Sequence, residues 1–162
     1  MRKFLEYPIF WILISQYPII NLYAANQEFI PIEQVYSSLG LSFLVNLIIF
    51  FCSGLITRRW KNAALITSIF TLTFFSYAHV SRVFNIPGIK LDSFQLNTFF
   101  FIWSVGLLLL VYFAIRVRIT NGIVTIINIS AFMLVVLPIS LVVYSRVSVS
   151  PQRVEEARVQ LS

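Results

Sequence analysis

The chain has few charged residues. Asp, Glu, Lys and Arg make up 11% of its 162 residues, whereas a soluble domain carries about 25%. Hydrophobic residues make up 59% of the sequence. A water-soluble fold of this length leaves roughly a third of its unfolded surface exposed, so it could not hide so many apolar side chains. The shortage of charge argues against a soluble domain and indicates an integral membrane protein.

Cysteine and histidine are also scarce, with Cys52 and His79 the only residues of their kinds. One thiol cannot form an internal disulfide or a cysteine-based metal site. A metal site or a nucleophile–base pair needs partner residues, and His79 has no carboxylate and no second histidine nearby in the sequence. The sequence contains no Gly-rich phosphate loop, HExxH or GxSxG motif. We therefore predict no catalytic residues, no bound cofactor and no metal site in this chain.

The net charge is +6, but the twelve Lys and Arg residues are scattered in small groups. A nucleic-acid-binding face needs a basic stripe with interleaved aromatic residues, and the sequence has none. We therefore expect the lipid bilayer, and no nucleic acid, as a partner.

Five apolar segments contain no Lys, Arg, Asp or Glu, and most reach the roughly 20 residues that a spanning helix needs. They lack the alternating pattern of a membrane β-barrel, and a helix satisfies its own backbone groups in lipid. The sequence therefore predicts an all-α, polytopic protein in which residues 1–144 form a bundle of five transmembrane helices. The segments are residues 8–25, 35–57, 63–81, 96–115 and 119–144.

The positive charges alternate between the loops, which predicts the orientation of the bundle. Seven lie before the first segment and in every second loop, against two in the other loops, where Glu28 and Glu33 also lie. The positive-inside rule places the first group in the cytoplasm, with the N-terminus inside and the C-terminus outside. Residues 145–162 then form an extracytoplasmic tail or linker, in which Ser150 and Pro151 can open a short helix. The seven topology-setting residues are Arg2, Lys3, Arg58, Arg59, Lys61, Arg116 and Arg118.

A few polar residues within or near the spans are candidates for a functional role. Asn21, Asn46 and Asn128 are expected to hold helices together by hydrogen bonds, with a polar cavity as the alternative. Tyr77 and His79 lie near the outer end of the third segment, where an interfacial contact is expected. The alternative for this pair is a site for chemistry on lipid.

Two stretches resemble a known membrane region. Residues 17–26 read YPIINLYAAN and resemble a YPxLFLYAxN ending of a first helix. Residues 61–68, KNAALITS, and 74–80, FFSYAHV, resemble a third helix of the form KAALLTS…FFSYGHV, with Ala78 in place of Gly. Both are similar to the N-terminal membrane region of large bacterial proteins, found in cyanobacteria among others. In those proteins a sulfatase-like domain of the alkaline-phosphatase superfamily follows the last helix.

The resemblance implies a multi-pass protein of the bacterial inner (plasma) membrane with an extracytoplasmic hydrolase domain or partner protein. The catalytic hydroxyl and the Asp and His metal ligands of that family would lie beyond residue 162, so no site residue is carried over. We therefore expect a membrane anchor or scaffold that is inactive alone. The alternatives are a small transporter or channel subunit, and a lipid-interface membrane enzyme.

Overall fold

The computed structural model describes residues 6–84 and 93–160, and in these ranges it contains five α-helices and no strand. The helix order and the all-α class predicted from the sequence are confirmed, with helix ends within a few residues of the apolar segments except at the end of the fifth. The helices are α1 (Phe10–Ala25), α2 (Ile32–Thr57), α3 (Trp60–Phe84), α4 (Ser93–Arg116) and α5 (Asn121–Gln160).

Consecutive helices run in opposite directions, and hydrogen bonds at both ends of the bundle show this. Asn121, the first residue of α5, accepts a hydrogen bond from Lys61 in the first turn of α3 and donates one to Glu6, just before α1. Ser145, far along α5, donates to Gln27, just after α1. The three odd-numbered helices therefore start at one end of the bundle, and α2 and α4 return to it.

The centre of the bundle is formed by α1 and α3. Helix α1 packs against α2, α3 and α5, and α3 packs against α1, α2 and α4. The indole of Trp11 stacks on the ring of Phe50 at 4.5 Å between centroids, and Phe10 is completely buried. The core therefore forms where α1 meets its neighbours, with Ala64 of α3 and Val124 of α5 closing it.

Three of the described helices are long and apolar enough to cross a membrane: Ile32–Thr57, Gln95–Arg116 and Asn121–Ser145. The sequence predicts five such spans, so this expectation is corrected for α1 and α3. Helix α1 has 16 residues, a rise of about 24 Å against a hydrocarbon core of about 30 Å. Helix α3 has buried polar side chains, among them Asn62 and Thr67. Both helices pack against three others, and a side chain that faces protein need not be apolar.

The outer helices expose large apolar side chains along their length. Leu55 of α2, Leu108 of α4 and Leu137 of α5 are 73%, 68% and 65% exposed. Soluble monomers rarely expose contiguous apolar patches larger than a few hundred Å². Lipid is the solvent that suits this surface, and the protein is therefore membrane-associated.

Helix α5 continues past the end of its apolar part. Its 40 residues run unbroken from Asn121 to Gln160, a length of about 60 Å. Ser150 and Pro151, expected to open a separate short helix, lie inside α5 instead. The boundary at residue 144 marks a change in hydropathy, and hydropathy does not determine where a helix ends.

The turn between α2 and α3 is short and closely packed. Arg58 caps α2 in the left-handed conformation, with φ 54° and ψ 25°, and its N–H donates to the carbonyl of Gly54. The indole of Trp60 lies directly on Gly54, where an added Cβ would be 2.4 Å from the nearest ring carbon. Phe50 and Phe51 contact the same indole. This packing fixes the start of α3 and the basic residues around it.

Candidate functional site

An interior polar cluster joins the first three helices. Ser42 of α2 donates through its hydroxyl to the carbonyl of Ser15 in α1 at 2.9 Å. Asn46, one turn along α2, accepts a hydrogen bond from the hydroxyl of Thr71 in α3 and donates to the carbonyl of Ser42. Asn46 and Thr71 are 5% and 2% exposed. The cluster fixes the register of three helices, the packing role expected for Asn46.

Asn128 of α5 holds the start of α1. It is 2% exposed. Its Oδ1 accepts a hydrogen bond from the N–H of Phe10, and its Nδ2 donates to the carbonyl of Tyr7, both at 2.8 Å. The first N–H groups of a helix have no partner within that helix. Asn128 therefore caps α1 from another helix and ties the two helices together.

Asn62 of α3 caps the end of α4 from another helix. It was not among the residues predicted from the sequence. Its Nδ2 donates to the carbonyls of Ala114 at 2.7 Å and Val117 at 2.9 Å. The last carbonyls of a helix also lack partners within it. The signal was present, since Asn62 directly precedes the third apolar segment.

Polar side chains of α3 also lie in the interior, and the apolar pattern gave no reason to single them out. The hydroxyls of Thr67 and Ser68 donate to the carbonyls one turn earlier, of Ala63 and Ala64. Bonds of this kind satisfy a hydroxyl within its own helix. In the described part of the chain, every buried side-chain nitrogen or oxygen has a hydrogen-bond partner.

The remaining sequence candidates do not join the interior cluster. Asn21 is exposed on α1. Tyr77 is half-buried where α3 meets α4, with its ring 5.5 Å from that of Phe99 and 6.1 Å from that of Trp103. His79 follows two residues later in the α3 backbone, and its side chain lies outside the described part. The structure therefore places Tyr77 in an aromatic contact between two helices.

Five of the seven topology-setting residues lie at one end of the bundle, which we call the basic end. Arg2 and Lys3 are outside the described residues. Glu28 and Glu33 lie at the opposite end, after α1 and in the first turn of α2. The opposite end also carries cations, since Arg82 lies near the end of α3 and Arg146, Arg153 and Arg158 lie in the last part of α5. The basic end consists of Arg58, Arg59, Lys61, Arg116 and Arg118, from the α2–α3 turn and the end of α4.

Among the described residues, the basic end has five cations and one carboxylate, that of Glu6. Glu6 accepts a hydrogen bond from Nδ2 of Asn121 at 2.7 Å, and Asn121 accepts one from Lys61. Arg116 lies over the ring of Tyr112, with its guanidinium carbon 5.3 Å from the centroid. The end therefore keeps a clear excess of positive charge, which suits contact with anionic groups.

Comparison with protein-family models, with curated proteins and with solved structures finds no match to this chain.

Proposed function

We propose that the protein is a membrane anchor or scaffold module of the bacterial inner membrane. In this proposal α2, α4 and α5 cross the bilayer and α1 and α3 pack among them, with the N-terminus and the basic end in the cytoplasm. The module holds a sulfatase-like hydrolase or transferase, fused or separate, on the extracytoplasmic side. The hydrolase part rests on the resemblance of residues 17–26 and 61–80 to the membrane region of such proteins.

The observation that carries the scaffold role is that, in the described part of the chain, every buried side-chain nitrogen or oxygen has a hydrogen-bond partner. A transporter or channel needs polar groups that converge on a path and remain free to contact the solute. Here Thr71 of α3 donates a hydrogen bond to Asn46 of α2, and Asn128 of α5 binds the backbone at the start of α1. Such bonds hold helices in register, which is what a rigid anchor requires and what a conducting path must avoid.

The Lys and Arg residues in the loops that join the helices support the proposed orientation. Lys and Arg are enriched on the cytoplasmic side of membrane proteins, and the acidic residues contribute little to this rule. The five cations of the basic end lie directly beyond the apolar parts of α2, α4 and α5. Placing this end in the cytoplasm puts the opposite end, with Gln27 and Ser145, outside.

The continuation of α5 supports a role outside the membrane. Its apolar part ends at Ser145, and the helix runs on to Gln160. These 15 further residues add about 22 Å of helix, on the side opposite the basic end. A helix that continues from the bundle can hold a domain at a set distance from the lipid surface.

The experiment has two steps. The reading frame that continues from Ser162, and the adjacent frames, are first searched for a sulfatase-like domain. Hydrolase activity is then measured in the membrane and soluble fractions of cells with the original protein and of a strain in which the protein lacks residues 1–144. We expect the activity to move from the membrane to the soluble fraction. Absence of any such frame, or retention of the activity on membranes, would overturn the hydrolase part of the proposal.

A matched measurement tests the scaffold against the transporter hypothesis. The purified protein is reconstituted in proteoliposomes, and solute flux is compared for the original chain and for Asn46→Leu. We expect no flux above that of protein-free vesicles for either protein. Flux that is lost in Asn46→Leu, with the variant still folded, would establish the transporter hypothesis in its place.

A further inference from the structure

A cavity opens at the basic end, and three of its six lining residues are cationic. Its volume is about 570 Å³. Two arginines and one lysine face it, from segments nearly sixty residues apart. The other lining side chains are an indole, an amide and an aliphatic group. The lining residues are Arg59, Trp60, Lys61, Asn62, Arg118 and Ile119.

The fold brings these cations together, because Asn62 binds the two segments. The side chain of Asn62 is 3% exposed and donates to the carbonyls of Ala114 and Val117. These bonds fix the α4–α5 loop beside the first turn of α3, so Arg118 lines the same cavity as Arg59. Ile119 is buried against the core from the same loop. The convergence of like charges is therefore built into the packing.

Within residues 6–84 and 93–160, the lining of the cavity contains no carboxylate. Glu6 is bound by Asn121, and it is not among the lining residues. Lys61 also contacts Asn121, an uncharged amide. Like charges that converge without a carboxylate repel one another, and a bound anion removes this repulsion. Guanidinium groups suit one anion in particular, because their planar fork matches the oxygens of a phosphate.

The position of the cavity indicates where the anion comes from. Helices α2 and α4 end their apolar parts at Thr57 and Arg116, directly beside it. Trp60 is half exposed there, and tryptophan is enriched at the level of the lipid head groups. In a bilayer that covers the apolar parts of α2 and α4, the cavity lies at the depth at which phospholipids present their phosphates.

We propose that this cavity binds a phosphate group at the membrane surface, with Arg59 and Arg118 as its main ligands. The group is a phosphodiester of an anionic phospholipid or a free phosphate, and both have the chemistry that the cavity suits. Trp60 forms an apolar wall for the glycerol or acyl part of a lipid. The site depends on the membrane location of the protein and is independent of any hydrolase partner.

The test compares two double variants that remove equal charge from the same end. Arg59→Gln with Arg118→Gln changes the cavity, and Arg58→Gln with Arg116→Gln leaves its lining unchanged. For each protein in neutral detergent, we measure the affinity for phosphatidylglycerol vesicles, for phosphatidylcholine vesicles and for inorganic phosphate. The phosphatidylglycerol and inorganic phosphate arms distinguish the two sources of the anion.

We expect the cavity variant to lose roughly tenfold or more in affinity for the anion that binds, and the matched variant to lose only a few fold. Arg59→Lys with Arg118→Lys should retain part of the binding, because it keeps the charge but not the planar fork. Circular dichroism of each variant confirms that the bundle is folded. Equal losses in the two double variants, or binding of neither anion, would overturn the proposal.

Discussion

Replacing Asn128 by Leu removes the hydrogen bonds that tie α5 to the start of α1. Leu has a similar size, so the main loss is the two bonds at 2.8 Å to Phe10 and Tyr7. Interhelical side-chain hydrogen bonds in membrane proteins contribute about 0.6 kcal/mol on average and up to about 1.7 kcal/mol. Two such bonds give an expected loss of about 1–3 kcal/mol in the free energy of unfolding.

The assay is a titration of the protein in bicelles with a denaturing detergent, followed by far-UV circular dichroism. The matched control is Asn21→Leu, the same chemical change on an exposed face of α1. Because lipid-facing Leu is favourable, we expect this control to be neutral or slightly stabilising. If the two variants unfold within about 0.3 kcal/mol of each other, Asn128 does not hold the helices together and the reasoning is refuted.

Three further predictions use the same unfolding assay. Gly54→Ala should destabilise the protein by about 1–3 kcal/mol, because the added Cβ would lie 2.4 Å from a ring carbon of Trp60. The control Gly40→Ala has nothing within 4 Å of the added Cβ and should be stabilising, and the reverse order of the two variants would contradict the packing. Arg58→Gly should stabilise by about 0.5–1 kcal/mol, since φ 54° strains a side chain other than glycine; a loss would show that the arginine has other contacts. A double-mutant cycle of Asn46→Leu and Thr71→Val should give a coupling of about 0.5–2 kcal/mol, and zero coupling would mean no direct bond.

The number and order of the helices could be predicted because lipid imposes a long apolar segment on each span. The second segment, predicted as residues 35–57, corresponds to α2 (Ile32–Thr57), and the fourth, residues 96–115, to α4 (Ser93–Arg116). Both helices face lipid along much of their length, so their sequences carry a strong signal. Helix α3 carries a weaker one, because its inward side chains include Thr67 and Thr71.

The interior contacts could be predicted in kind but not in pairing. An asparagine in an apolar segment indicates an interhelical hydrogen bond, and Asn46 and Asn128 form such bonds. Their partners are a hydroxyl 25 residues away and backbone groups 118 and 121 residues away. No local pattern encodes such distances. The same reasoning gave no warning that Asn21 faces outward, because a single polar residue does not reveal which side of a helix is covered.

The basic end illustrates a different limit. The alternation of charged loops groups Arg59 and Arg118 on one side of the membrane, but grouping does not imply a shared cavity. The cavity exists because Asn62 holds the α4–α5 loop against α3. That contact joins residues more than fifty positions apart, and only the folded structure shows it.

The most direct test of the proposed anchor is its orientation, measured with paired reporters at Arg59 and after Ser162. A cytoplasmic fluorescent reporter and an external phosphatase reporter are placed at each site in turn. The proposal predicts fluorescence without phosphatase activity at Arg59 and phosphatase activity without fluorescence at Ser162. A cytoplasmic signal from the Ser162 fusion would contradict it, because α5 would then end on the same side as the basic residues.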